Sequence, residues 1–152
     1  MIDETDKSIL RLVQQNSKYT IKELSSKLNL TPTPIFERIK RLEKEGYILS
    51  YKAVIDRKKV GLSLVVFCNI SLKQHEASFI SNFEKDIQQF TEVIACFHIG
   101  GMFDYLLKVI VQDMDAYQHF VAKKLASVDN IRQVQSSFVM AEVKATTSLP
   151  IV

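Results

Sequence analysis

Apolar residues recur along this chain with two different periods, and the change falls near Gly61. Between Thr5 and Asn16, Ile9, Leu12 and Val13 stand at helical spacing, while Asp3, Glu4 and Asp6 put negative charge at the positive end of the helix dipole. Thr20 stands where it caps a second helix, with Glu23 three residues on as in a capping box and Ile21, Leu24 and Leu28 as the buried stripe. That helix ends near Asn29. Thr31 caps a third, with Pro32 at the first helical position, where its missing N–H costs nothing, and Pro34 still in the first turn. Ile35, Ile39 and Leu42 face inward from it. After Gly46 the run YILSYKAVID reads as a strand, either a wing or a connector.

Beyond Gly61 the pattern is one of strands and helices in alternation. LSLVVFCNISL, residues 62–72, is a nearly continuous apolar strand, and Phe79, Phe83, Ile87 and Phe90 then mark one face of a helix from Glu76 to Phe90. VIACFHI and YLLKVIV follow as two strands joined by Gly100, Gly101, Met102, Phe103 and Asp104. Asp113 and Asp115 open a helix that ends near Ser127, and a last strand runs from about Ile131 to Lys144. The order strand, helix, strand, strand, helix, strand is that of a ferredoxin-like fold, so the chain is α+β. It divides into a helix-turn-helix domain over residues 1–50, a strand or linker over 51–61, and a ferredoxin-like domain over 62–152.

Such a sheet carries its helices on one face. The strands at 62–72 and 105–111 are apolar at successive positions, which implies burial of both faces. A dimer formed sheet to sheet supplies the missing cover and places two copies of the third helix in twofold relation. The alternative, an enclosed monomer, needs a further layer that the pattern does not contain.

Charge sharpens the division. Residues 1–60 hold 13 Lys and Arg against 8 Asp and Glu, whereas residues 61–152 hold 7 against 9. The positive excess lies with the N-terminal part, as phosphate contacts require. Lys52, Arg57, Lys58 and Lys59, after the third helix, are among the candidates for such contacts. No stretch long enough to span a membrane is free of charge, and MIDETDKSIL lacks the form of a signal peptide, so an intracellular, cytoplasmic protein is expected. Cys68 and Cys96 lie in apolar runs without metal or redox spacing and read as buried thiols. His75, His98 and His119 are scattered, with no nucleophile or metal partner at recognisable spacing, which argues against an enzyme.

With Ile35, Ile39 and Leu42 inward, the third helix presents Thr33, Glu37 and Arg41, with Pro34 and Arg38 alongside. On a recognition helix Thr33 can touch a thymine methyl or a phosphate, and Arg38 can span guanine acceptors. The bland alternative is the solvated face of a trihelical bundle. In the GGMFD loop, two glycines leave amide groups uncovered and Asp104 supplies a carboxylate, a pairing suited to a zwitterion. Here too a bland alternative stands, a glycine hairpin in which Asp104 satisfies its own turn.

The runs DETDKSILRLVQQNSKYTIKELSSKLNLTPTPIFERIKRLEKEGYI, YKAVIDRKKVGL, GGMFDYLLKV and SSFVMAEVKATTSLP occur in that order and closely resemble successive signatures of the leucine-responsive and asparagine-responsive regulators, the Lrp/AsnC family. The resemblance covers almost the whole chain. It implies an N-terminal winged helix-turn-helix, a short strand linker and a C-terminal ferredoxin-like (RAM-type) domain. It further implies a transcriptional regulator of amino-acid metabolism or related genes, cytoplasmic and nucleoid-associated, that binds double-stranded DNA as dimers assembling to octamers. The small-molecule effector is an amino acid held between dimers, with no other cofactor and no metal. Residue by residue, the family's recognition-helix opening falls on Thr31, Pro32, Thr33 and Pro34, and its paired basic positions on Arg38 and Arg41. The DNA-binding set is therefore Thr31, Thr33, Pro34, Glu37, Arg38 and Arg41.

The family's effector loop reads Thr-Gly, two variable residues, then Asp-Tyr. The matching residues here are Gly100, Gly101, Met102, Phe103, Asp104 and Tyr105. Gly100 replaces the usual hydroxyl residue and Met102 the usual acidic or polar one, which points either to an apolar effector such as leucine or methionine or to a weak response. The effector set is Gly100, Gly101, Met102, Phe103 and Asp104, joined by Gln135 and Ser137 on the last strand where dimers meet. The rival function is a nucleoid-type architectural protein that binds DNA and ignores amino acids.

Overall fold

The computed structural model describes residues 1–152, which separate into two units, residues 1–54 with 144–152 and residues 55–143. In the first, α1 (Glu4–Gln15), α2 (Ile21–Leu28) and α3 (Pro32–Lys44) surround a core of Ile9, Leu10, Leu24, Ile35, Ile39 and Leu42. Each such side chain withdrawn from water is worth about 1.5–3 kcal/mol. Local chemistry sets the helix ends. Asp3 and Asp6 form a capping box at α1, and Thr20 and Glu23 another at α2.

Between α2 and α3 the chain turns on Asn29, whose φ of 53° an asparagine tolerates better than most residues. Ser25, nearly buried, locks the turn by donating its hydroxyl to the Leu30 carbonyl, while the Leu30 N–H returns to the Ser25 carbonyl at 3.1 Å. At the far end of α3, Gly46 takes φ +76° and the Tyr47 and Ile48 amides both donate to the Leu42 carbonyl.

Two features of this unit depart from the sequence reading. The run YILSYKAVID forms no strand, so no wing is built: a strand needs a ladder partner, and nothing in this chain pairs with it. Leu49, Val54 and Ile55 are left exposed. The C-terminal residues 144–152, expected with the second domain, instead belong to the first unit. Gln14 holds the Leu149 backbone twice, accepting from its N–H at 2.6 Å and donating to its carbonyl at 3.3 Å. Arg11 donates to the Ile151 carbonyl at 3.1 Å, and Ile151 packs against the helical core.

In the second unit, β1 (Leu64–Leu72), α4 (Ala77–Gln88), β2 (Val93–His98), β3 (Tyr105–Val111), α5 (Met114–His119) and β4 (Ile131–Phe138) follow the expected order. The strands form one antiparallel sheet ordered β2-β3-β1-β4. A π turn over Phe120–Lys124 and a 3-10 turn over Leu125–Ser127 extend α5. The last strand stops at Phe138, not Lys144, because its pairing with β1 runs out there: Phe138 faces Val66, and the Val139 N–H makes a final bond to the Val65 carbonyl.

One face of this sheet is buried, and the other is buried only at Val65 and Ser71. Val66, Cys68, Ile70 and Leu72 alternate with Tyr105, Leu107, Val109 and Val111 beneath Phe83 and Ile87 of α4 and Tyr117 of α5. On the opposite face Phe67, Asn69, Leu106, Lys108 and Ile110 remain half-exposed, and Phe97 is 53% exposed. Within one chain, then, the helices cover one face only. Cys68 is buried as expected, against the Tyr117 hydroxyl at 3.1 Å, but Cys96 is exposed because β2 is an edge strand.

Replacing Ile151 with Asp removes the tail's apolar anchor. Denaturation of the full chain is expected to show the first unit destabilised by about 1 kcal/mol, with faster amide exchange in α1.

Candidate DNA-reading surface and effector loop

α3 is amphipathic by its spacing, and Ile35, Ile39 and Leu42 fix which side is lost to the core. Thr31, Thr33, Pro34 and Glu37 are exposed as the sequence implied. Thr31 occupies the N-cap but makes no side-chain capping bond. The usual donors to its hydroxyl oxygen, the amides two and three residues on, are reduced to the Thr33 N–H because Pro34 has none. The hydroxyl therefore stays uncommitted at the mouth of the helix.

Arg38 and Arg41 do not point freely outward, and this corrects the sequence reading. Asp6 is fully buried at the start of α1, and a buried carboxylate requires a counter-charge. Arg38 Nη1 donates to Asp6 Oδ1 at 2.8 Å and to Asp3 Oδ2 at 2.6 Å, and Arg41 Nη2 donates to Asp6 Oδ2. The Asp3 N–H adds a further bond to Asp6 at 3.0 Å. Burial opposes ionisation of Asp6, but the Asp3 amide and the Arg38 guanidinium outweigh it and hold the carboxyl below its ordinary pKa. The same partners raise Arg38.

Two residues outside the expected DNA-binding set, Lys40 and Phe36, also stand on this surface. Lys40 is exposed on the outer side of α3, bonded only to half-buried Glu43 at 3.0 Å, and Phe36 beside it is 50% exposed. The signal for Asp6 was present: positions 6, 9, 10 and 13 share one face of α1, so the stripe that buries Ile9 also buries Asp6. Farther along, Arg57 is committed to its own loop, donating to the carbonyls of Leu62 and Ser63 at 3.1 and 2.8 Å and facing Glu142 at 3.6 Å.

The effector loop closes the β2–β3 hairpin, with the Ile99 N–H on the Asp104 carbonyl and the Asp104 N–H on the Ile70 carbonyl, each at 2.9 Å. Gly101 adopts φ +136°, which a side chain would strain. Gly100, Gly101 and Met102 are exposed, Met102 almost wholly so, and Phe103 is half-buried. Asp104 is not a free carboxylate. Oδ2 accepts the Leu72 N–H at 2.7 Å and Oδ1 meets His75 Nε2 at 2.9 Å, and these bonds, the Leu72 amide foremost, lower its pKa.

His75 was not singled out for this site. It lies in the β1–α4 connection, where Asn130 binds Gln74 by two bonds of 2.8 Å. His98 stacks on the buried Tyr105 ring at 4.7 Å. Gln135 and Ser137 are exposed on β4 opposite Asn69 and Phe67, with β1 and β3 between them and the hairpin strand β2. One chain does not bring them to the loop.

Comparison with known proteins finds a match for each part of the chain. Residues 2–48 match a family model described as winged helix-turn-helix DNA-binding, and residues 65–149 match one described as Lrp/AsnC ligand binding domain. The chain is 36% identical over 151 residues to the DNA-binding transcriptional activator DecR of Escherichia coli, covering 99% of each. It is 34% identical over 150 residues to the leucine-responsive regulatory protein of the same organism, covering 99% of this chain and 92% of that one. Its fold superposes on a transcriptional regulator from Neisseria meningitidis, solved as a complex with L-Met, with a TM-score of 0.95 and 37% identity, covering 99% and 97% of the two chains.

Because folding lowers the Asp6 pKa, the stabilisation from this carboxylate is present at neutral pH and is lost as pH falls from the ordinary carboxylate value of about 4 through its depressed value. Asp6→Asn should cost about 2–4 kcal/mol at pH 7, the low side for a buried pair since both guanidinium groups reach solvent, and should flatten the acid limb of stability against pH. Urea denaturation between neutral and acid pH measures both.

Proposed function

The chain belongs to the Lrp/AsnC family of DNA-binding transcriptional regulators, and from that premise we propose that it binds specific DNA sites as a dimer or larger assembly whose state responds to an amino acid. The observation that carries the reading is the outer face of α3, where Thr31, Thr33, Pro34, Glu37 and Lys40 stand exposed opposite the buried Ile35, Ile39 and Leu42. Arg38 and Arg41 serve here by holding α3 against α1 through Asp6, and Arg41, the more exposed of the two, also reaches the DNA side. The uncovered apolar sheet face, with Phe97, Leu106 and Ile110, supports pairing of two copies through the second unit. Dimers then assemble further, to an octamer, and regulate genes of amino-acid metabolism.

The effector in this proposal is an amino acid with an apolar side chain, methionine or leucine, held between dimers by the loop from Gly100 to Asp104 with Gln135 and Ser137 of a neighbouring copy. Exposed Met102 supports an apolar side chain in the ligand. The L-Met complex of the Neisseria meningitidis relative supports methionine. Such a ligand acts by binding one assembly better than another. A second reading, DNA architecture without a ligand, is favoured by one observation: both Asp104 oxygens already have partners within the chain.

Two measurements test these readings. Lys40→Ala should weaken binding to all duplexes about equally and lower the slope of log affinity against log salt by about 1. Titration calorimetry with L-Met should give saturable heat together with a shift in sedimentation, and Asp104→Asn should weaken that binding roughly tenfold or more. Silence with every standard amino acid would leave the architectural reading in possession.

A further inference from the structure

With Arg38 and Arg41 engaged by Asp3 and Asp6, the reading face of α3 is short of free guanidinium groups. What stands there, besides the shared guanidinium of Arg41 and the carboxylate of Glu37, is the hydroxyls and methyls of Thr31 and Thr33, the ammonium of Lys40 and the ring of Phe36. Phe36 is 50% exposed and takes no part in the core that Ile35 and Ile39 enter from either side of it. Its neighbour one turn on, Lys40, holds its ammonium 5.9 Å from the ring centroid. An exposed aromatic ring on a cationic helix, whose first turn carries no acid, has few uses in water. In the major groove it has one: the only apolar group that base pairs present there is the thymine 5-methyl.

We infer that Phe36 is a specificity-determining residue that reads a thymine methyl group in each half-site, with Lys40 beside it on the phosphate backbone. This rests on the reading of α3 as the DNA-contacting helix and adds to it the base feature recognised. Position along the helix agrees, since Phe36 lies on the second turn, three residues from Thr33 and four from Lys40. The charge agrees as well, because the first 60 residues carry 13 basic against 8 acidic groups and Lys40 draws the same flank toward phosphate.

The test uses the full chain and a duplex that the wild-type protein enriches from a random pool, with each thymine replaced singly by uracil, which removes only the methyl group. At one position per half-site uracil should weaken the wild-type protein about 4-fold, the worth of one methyl group withdrawn from water. Phe36→Ala should lose about the same factor on the thymine duplex, lose nothing further with uracil at that position, and keep the wild-type salt slope. Phe36→Leu, which stays apolar, should retain part of the discrimination. Equal uracil effects in wild type and Phe36→Ala at every position, or undiminished binding by Phe36→Ala, would overturn the assignment. So would a change in sedimentation of the DNA-free protein without thymine coupling, which would make Phe36 a contact between copies. The wild-type preference for the enriched duplex over random sequence reports separately on α3 as a reader: if that preference is absent, the underlying reading fails as well, whereas a preserved preference without coupling removes Phe36 alone.

Discussion

The carboxylate of Asp6 is the interaction on which the DNA-binding unit turns. A charge buried at the start of α1 has to be neutralised, and its two oxygens take a guanidinium each from α3 and an amide from Asp3. One side chain thus completes the capping box of α1, fixes the crossing of α1 with α3, and sets how far α3 can rotate about its axis. The consequence for function is subtractive. Arg38, which helix geometry offers as a guanine reader, is drawn to the flank, and the face left over is made of hydroxyl groups, an aromatic ring, a lysine, the Glu37 carboxylate and the shared Arg41.

The same economy recurs in the second unit. Asp104 is the residue that the loop composition marks for a ligand, yet its oxygens tie the end of β1 to the β2–β3 hairpin and hold His75. His75 is steadied in turn by the Asn130 clamp on Gln74. In the proposed site, a ligand's ammonium would meet a carboxylate that is ionised and oriented but already shared. Binding then competes with, or adds to, bonds the chain makes for itself, which is how a site becomes sensitive to the positions of neighbouring strands. The open face of the sheet has a related character, because its apolar residues are too numerous for solvent and too few for a core.

Chain topology links these units in a way no single domain boundary describes. The second unit is an insertion within the first: the chain leaves the three helices near Val54 and returns to them from Lys144 onward. Gln14 and Arg11 capture the returning segment by its backbone, and Ile151 seals the contact. Backbone bonds of this kind ask little of the tail's own sequence, so the segment SLPIV gives no periodic signal of where it belongs.

Amino-acid order by itself determined the local structure. Capping boxes at Asp3 and Thr20, the Pro32 start of α3, the left-handed turns at Asn29 and Gly46, and the alternation that sorts the strand faces all depend on residues within a few positions of one another. Those spacings also place Thr33 and Glu37 outward and the GGMFD loop between two strands, so most of the exposed side of α3 is legible in the sequence. Tertiary structure decided the partners. Asp6 meets Arg38 across 32 residues, Gln14 meets Leu149 across 135, and the wing strand fails for want of a neighbour. The physical reason is one of range: a cap or a stripe is satisfied by its own turn of chain, whereas a buried charge or an unpaired backbone takes whichever partner the fold brings near, and no spacing announces it.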